Sequence, residues 1–291
     1  MSSRPPSFGL FLVPNADSYA DLVRQAEAVE RSGLDLIGIQ DHPYQRRFLD
    51  TFALIGDLLA RTERVTIFPA VANLPLRPPA TLAKLAASLD VMSGGRFELG
   101  LGAGAFWDGI EAMGGPRRSP GESVDALAEA IEIIRRSWSG ERSVSFEGSH
   151  YSVKGLHPGP PPEREIGIWL GAYKPRMLAL TGRLADGWVP SHGHAPPGEI
   201  REMAKRIDDA AEEAGRDPRA IRRVYNLSGQ IADGPVRERL RGPPEHWIEA
   251  LTGFVLELGF DSFIFAPAED VPGQIERFAQ EVAPGVREAV G

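Results

Sequence analysis

Short apolar runs and longer segments of helical spacing alternate eight times along this chain, and that alternation leaves few folds open. The runs are 8–13, 36–40, 65–71, 97–102, 166–170, 187–190, 224–231 and 261–265. Most are close to continuously apolar and too short for helices, as expected of strands buried on both faces of a parallel sheet. The segments between them carry helix signals. Leu22, Ala26 and Val29 give a buried stripe that Gly33 can stop, and Ser18-x-x-Asp21 ahead of it reads as a capping box. Leu82, Leu85, Leu89 and Met92 fall on one side of a third helix, which Gly94 and Gly95 end, and Ser119-Pro120 opens a fourth that reaches Trp138. The remaining helices are expected over 52–61, 175–184, 197–214, 244–258 and 272–282.

A helix after every strand brings the chain back to the same edge, so the strands run parallel with right-handed crossovers. The expected fold is an α/β (β/α)8 TIM barrel formed by one domain, 1–291. The length of 291 residues suits such a barrel, which typically takes about 250. The rival, an open doubly wound sheet, usually shows a G-x-G-x-x-G turn after an early strand. Here the early runs end in Pro14 and His42. Two stretches break the rhythm. One is 141–163, where 144–146 and 150–153 read as a hairpin, and the other is 232–244.

The chain contains no cysteine. That removes disulfides, thiolate metal sites, iron–sulfur clusters and cysteine nucleophiles together, so any redox chemistry needs a bound cofactor. The net charge is −8 and no basic stripe appears, which argues against nucleic acid as a partner. Met1–Pro6 is polar and proline-rich, and no run approaches the roughly 20 apolar residues of a membrane span. No membrane association and a cytoplasmic location are therefore expected.

Barrels of this kind do their chemistry where strands end. Three strand ends stand out. Asp41-His42-Pro43-Tyr44 puts an imidazole, which titrates near neutral pH, beside a carboxylate. His42 reads either as a proton-handling group or as a loop histidine that only hydrogen-bonds its surroundings. Gly100-Leu101-Gly102-Ala103-Gly104 strips side chains from one strand face, which suits either a flat ring laid against bare backbone or close packing at the barrel mouth. Gly171-Ala172-Tyr173-Lys174-Pro175 runs straight into a helix, where free amides, the helix dipole and Lys174 favour an anion such as phosphate. His192 and His194 lack a third ligand at metal spacing, so no metal is expected. His150 and His157 read as surface residues of the excursion, and Trp247 and Phe254 as packing for the seventh helix.

The chain resembles the bacterial luciferase-like superfamily of flavin- and deazaflavin-dependent oxidoreductases along nearly its whole length. The resemblance rests on Gln40-Asp41-His42-Pro43, on Val71-Ala72-Asn73-Leu74-Pro75-Leu76-Arg77-Pro78-Pro79, on Ile168-Trp169-Leu170-Gly171-Ala172 and on Ala185-Asp186-Gly187-Trp188. Most specific is the stretch from Leu89-Asp90 through Ser93-Gly94-Gly95-Arg96 to Gly100-Leu101-Gly102-Ala103-Gly104. The resemblance implies coenzyme F420 (a deazaflavin) or FMN, with its ring over strands three and four. It implies a non-proline cis peptide, which by position falls at Ala70–Val71, and phosphate capture at the strand-five loop. It puts His42 in the catalytic role. It puts Asp41, Ala70, Val71, Asn73, Gly102, Ala103, Gly104, Gly171, Ala172, Tyr173 and Lys174 at the cofactor, and it implies a homodimer.

One departure is informative. The deazaflavin-dependent glucose-6-phosphate dehydrogenases that share this pattern have a Glu just after the third glycine, and here that place is Ala105, followed by Phe106 and Trp107. The missing acid argues against a sugar phosphate and for an apolar pocket. The leading expectation is hydride transfer between a small organic substrate and coenzyme F420. The alternatives are an FMN-dependent monooxygenase that uses molecular oxygen, and a barrel that binds cofactor without turnover.

Overall fold

Strand and helix alternate as expected in the computed structural model, which describes residues 4–236 and 240–291. Residues 1–3, and 237–239 of the 232–244 excursion, lie outside the described residues. Strand β1 is Ser7–Leu12 and helix α1 is Tyr19–Ser32; β2 is Leu36–Ile39 and α2 is Thr51–Arg61. The third strand comes in two pieces, β3 (Thr66–Pro69) and β4 (Ala72–Asn73), and leads into α3, Pro79–Ser93. Next come β5 (Leu99–Gly102), α4 (Trp107–Ala112), α5 (Pro120–Trp138) and the hairpin strands β6 (Val144–Glu147) and β7 (Ser152–Leu156). The barrel resumes with β8 (Ile168–Leu170), α6 (Pro175–Leu184), β9 (Gly187–Trp188), α7 (Pro197–Glu213) and β10 (Arg222–Ile231). It finishes with β11 (Arg241–Gly242), α8 (Pro244–Leu258), β12 (Ser262–Pro267), α9 (Val271–Arg277) and α10 (Ala283–Val290).

The barrel strands pair in parallel in the order β3-β2-β1-β12-β10-β9-β8-β5-β4. The ring closes through β3 itself. Ile67 N–H donates to Arg96 O (3.0 Å) and Glu98 N–H donates to Ile67 O (3.3 Å), and beyond the break β4 pairs with β5, Ala72 opposite Leu101. Between the two pieces the Ala70–Val71 peptide is cis. The break pushes backbone toward β5, and only glycine there can receive it. A Cβ on Gly100 would lie 1.9 Å from Pro69 O, and one on Gly102 would lie 2.8 Å from Val71 Cγ2. At these two positions the bare glycine face is therefore filled by the neighbouring strand, and close packing accounts for it.

Two cores result. Leu36, Phe68, Trp169, Val189, Val224 and Ile264 fill the barrel, with Phe11, Ala70 and Val71 half-buried at its upper end. A larger core joins barrel to helices and includes Ile55, Leu58, Leu101, Ile131, Ile134, Trp188, Trp247 and Phe263. Trp247 and Phe254 of α8 are buried, as their spacing predicts.

Several local expectations need correction. Ser18 makes no cap bond to α1: it closes a 3-10 turn, Ala16–Ser18, rather than standing ahead of the first helical turn, and its hydroxyl donates to Asn15 O (3.2 Å). Met92 is 77% exposed, so helical spacing alone assigned it to the wrong face. Helix α4 was not anticipated, since six residues give too few turns for a periodic pattern. The last helix runs past 282, through a π-turn at Phe278–Val282 into α10. Among the described residues no helix is long and apolar enough to cross a membrane, and no group of acidic residues and histidines could hold a metal ion.

Candidate active site

The carboxyl ends of the barrel strands gather the residues singled out in the sequence at one mouth. β2 delivers Asp41 and His42 in succession, and the two side chains do different work. The Asp41 carboxylate is fully buried. Its Oδ2 accepts from Asn73 N–H (2.8 Å) and Arg77 Nε (3.3 Å), and its Oδ1 accepts from Arg77 Nη2 (2.9 Å). Arg77 also reaches Asp50 (3.0 Å), the N-cap of α2, and stacks over Phe52. Asp41, expected near the cofactor, thus has both oxygens engaged in bracing the chain just past the cis peptide.

His42 is half-buried and turns toward aromatic neighbours. Its Nδ1 pairs with the Tyr44 hydroxyl at 2.5 Å. Phe106, 59% exposed, stands edge-on to the imidazole with centroids 5.3 Å apart, and Tyr44 lies 5.9 Å from Phe106. Helix α4 holds this group from outside, since a Cβ on Gly109 would lie 2.7 Å from Tyr44 Cγ. Burial lowers the pKa of His42, and the nearby Asp41 charge only partly offsets it. Burial and the same carboxylate push Tyr44 up to about 12. Near neutrality the site therefore holds a neutral imidazole against a protonated phenol.

Small residues from neighbouring strands line the mouth next to Val71. A Cβ on Gly171 would lie 3.0 Å from Val71 Cγ2, and Gly104 has φ 94°, with its Cβ position 2.7 Å from Pro75. Ala70 and Val71 belong to the upper end of the inner core, Ala103 is half-buried, and Ala105 is exposed. The anion-site expectation needs one correction. Gly171 N–H donates to Leu101 O (3.2 Å) within the barrel, so it cannot serve an anion. The backbone amides of Ala172, Tyr173 and Lys174 have no backbone acceptor, and they lie at the start of α6. Pro175 has no N–H, and the Arg176 and Met177 amides of the first helical turn join these three as open donors.

The structure adds residues that were not singled out. Tyr173 Oη accepts from Ser191 N–H (3.0 Å), and Asn226 Nδ2 reaches Ser191 Oγ (3.3 Å). This chain of contacts ties the segments just beyond β8 and β9 to the middle of β10. Asn226 is two residues beyond Val224 of the inner core, so it points into the barrel. A polar residue at an inward position of an apolar strand is the signal that could have identified it. Asn226 Oδ1 and Asn73 Oδ1 are buried acceptors without a hydrogen-bond partner. Buried polar atoms of that kind are uncommon, and two at one mouth suit a ligand that donates N–H. Small residues under a flat ring, two open acceptors and three amides for a phosphate together fit a flavin or deazaflavin. His192 packs on Tyr225 and Phe254 at the edge of this region, and the His194 ring lies tilted beside Tyr173, centroids 5.8 Å apart.

The sequence pattern of the luciferase-like monooxygenase family matches residues 5–252. A relative from Microbacterium testaceum named F420-dependent glucose-6-phosphate dehydrogenase is 34% identical over 197 residues, 64% of this chain and 57% of that protein. The match spans 65% of the length of other curated relatives, so parts of those proteins have no counterpart in it. Among solved structures, an F420-dependent secondary alcohol dehydrogenase superposes with a TM-score of 0.86 at 20% identity, covering 97% of this chain and 99% of that one. A long-chain alkane monooxygenase superposes at 0.82 with 14% identity, covering 98% and 92%. At such identities the superpositions establish the shared barrel.

Proposed function

The chain belongs to the luciferase-like monooxygenase family, and from that premise we propose that it is an oxidoreductase that moves a hydride between a small organic substrate and coenzyme F420. The observation that carries this reading is the 34% identity to a relative named for F420-dependent dehydrogenation. The neutral His42–Tyr44 pair at the mouth supports it. When bound, the deazaflavin supplies the two-electron chemistry, and the protein supplies position and protons.

In this reading the amides of Ala172, Tyr173 and Lys174 hold the cofactor phosphate, aided by the Lys174 charge. Ala70, Val71, Ala103, Gly104 and Gly171 form the surface under the ring, with Gly102 packed behind Val71, and the Asn73 and Asn226 carbonyl oxygens accept from its N–H edge. Asp41 keeps the Ala70–Val71 bulge in place. His42 meets the substrate oxygen, where hydride transfer requires a proton to be given or taken. Phe106 and Trp107 shape an apolar substrate pocket. A homodimer and a cytoplasmic location belong to the same proposal.

The test is direct. The purified protein is titrated with F420 and with FMN by fluorescence quenching, then assayed by the absorbance of oxidised F420 against a panel of alcohols and carbonyl compounds. Tighter binding of F420 and a change in its redox state without oxygen uptake are the expected results. Preference for FMN with oxygen consumption would move the assignment to the oxygenase branch. Binding without turnover on any substrate would favour a carrier.

A further inference from the structure

We infer that Tyr44 is a positioning residue for His42: its hydroxyl donates to Nδ1, so that the resting imidazole carries its hydrogen on Nε2 and presents an N–H toward the mouth. Three observations carry this. The first is contact. Nδ1 and the Tyr44 hydroxyl are within hydrogen-bond distance, which commits one ring nitrogen to the protein and leaves Nε2 for anything that binds. The second is fixation. Tyr44 is held between the imidazole, Phe106 and the Cβ-free side of Gly109, where any larger residue would strike the ring. A phenol held this way can orient an imidazole as well as touch it. The third is the protonation state. Burial keeps the phenol protonated and the imidazole neutral. In such a pair the phenol is the better donor and the imidazole nitrogen the better acceptor, so the hydrogen lies on oxygen and points at Nδ1.

The charged groups around the pair support the same assignment. Asp41, the nearest carboxylate, is occupied by Arg77 and the Asn73 amide and takes no hydrogen bond from the ring. Nothing on the Asp41 side therefore competes for an Nδ1 hydrogen. The consequence is chemical. An Nε2–H donor suits an incoming carbonyl oxygen, which it can hold while hydride arrives. In the reverse direction the alcohol proton needs a bare Nε2, which the ring offers only in its other neutral tautomer, with hydrogen on Nδ1 donated to the Tyr44 oxygen after the hydroxyl has rotated; taking the proton at Nε2 then makes the imidazolium.

The decisive measurement uses the protein alone, so it stands apart from the proposed F420 activity. Ring-nitrogen NMR of the ¹⁵N-labelled protein above the His42 pKa reports the tautomer, and the His42→Gln variant assigns the signals. The expected parent spectrum has hydrogen on Nε2 and a bare Nδ1 shielded by a hydrogen bond. In Tyr44→Phe, which keeps the ring and the packing, the Nδ1 signal should move downfield as that bond is lost. Hydrogen on Nδ1 in the parent, or an Nδ1 signal that does not move in the variant, overturns the inference. Because the parent spectrum alone can refute it, a variant that fails to fold does not shield it. The kinetic arm rests on the proposed activity. There Tyr44→Phe should lower kcat about 10-fold, the scale on which groups that orient a working imidazole act, with KM for cofactor unchanged. An unchanged kcat in an active enzyme would overturn the positioning role.

Discussion

The two ends of the barrel treat buried polarity in opposite ways. At the floor, Arg222 reaches into the barrel and donates to Ser7 Oγ (2.7 Å) and Ser262 Oγ (2.9 Å), and lies 3.7 Å from Asp261. Glu98, also buried, accepts from Arg164 (2.8 Å) and from Gly167 N–H (2.6 Å). Every one of these groups faces a partner inside the protein. At the mouth, Asn73 Oδ1 and Asn226 Oδ1 have none, three amides before α6 lack a backbone acceptor, and the Phe106 ring stands exposed over His42. The floor spends its charges on closing the barrel. The mouth leaves polar groups open, which costs stability unless a ligand completes them. Polarity by itself therefore does not mark a site in this fold, and unsatisfied polarity does so only together with a place at the strand ends, since Asp90 Oδ1 at the floor and Trp247 Nε1 and Thr252 Oγ1 on α8 also lack a partner.

The sharpest test of that contrast is His42→Ala. If the mouth is the working end, the variant should retain cofactor affinity and lose about 10²–10⁴ in turnover, measured by single-turnover F420 absorbance. Parental turnover would return His42 to a loop role. The matching change at the floor is Arg222→Met. It strips the cation from buried Asp261 and two serines, and should cost about 3 kcal/mol in urea unfolding with cofactor affinity unchanged. If affinity fell instead and stability held, the division between the two ends would be wrong.

A smaller effect is expected at the turn before α6. Gly171→Asp adds a side chain against Val71 and a negative charge beside the proposed phosphate site, and should weaken cofactor binding by about tenfold or more (about 1.4 kcal/mol). Unchanged affinity in a titration would count against that site. The smallest effect concerns pH. Burial raises the carboxyl pKa of Glu98, and its arginine neighbours only partly reverse the shift. A folded pKa above the unfolded one means that the native state binds the proton more tightly. Its stabilising contribution is complete below the unfolded value, 4.5, and is lost as pH rises through the folded value. Unfolding midpoints of the parent, taken relative to Glu98→Gln, should therefore fall as pH rises from about 4.5. A flat difference would show that Arg164 balances the burial.

Much of this molecule can be read from residue order. Eight apolar runs separated by helical segments leave the parallel barrel as the consistent arrangement, because each strand must be covered and each crossover shares one hand. The hairpin at β6–β7, the helix starts at Pro120 and Pro175 and the stop at Gly33 follow from local turn and cap chemistry, which acts over a few residues. The location of chemistry at the strand ends follows from the fold class. What each mouth residue does is another matter, since it depends on groups far apart in the chain. Asp41 is a brace because Asn73 and Arg77, 32 and 36 residues later, arrive at its oxygens. Gly100 and Gly102 are glycines because the bulge after β3 presses against them. Gly171 loses its amide to Leu101, and Met92 faces solvent although its spacing places it inside. Local sequence sets strand, helix and turn through short-range sterics and hydrogen bonding. Whether a polar atom is spent or open depends on which distant backbone reaches it, and only the closed barrel decides that.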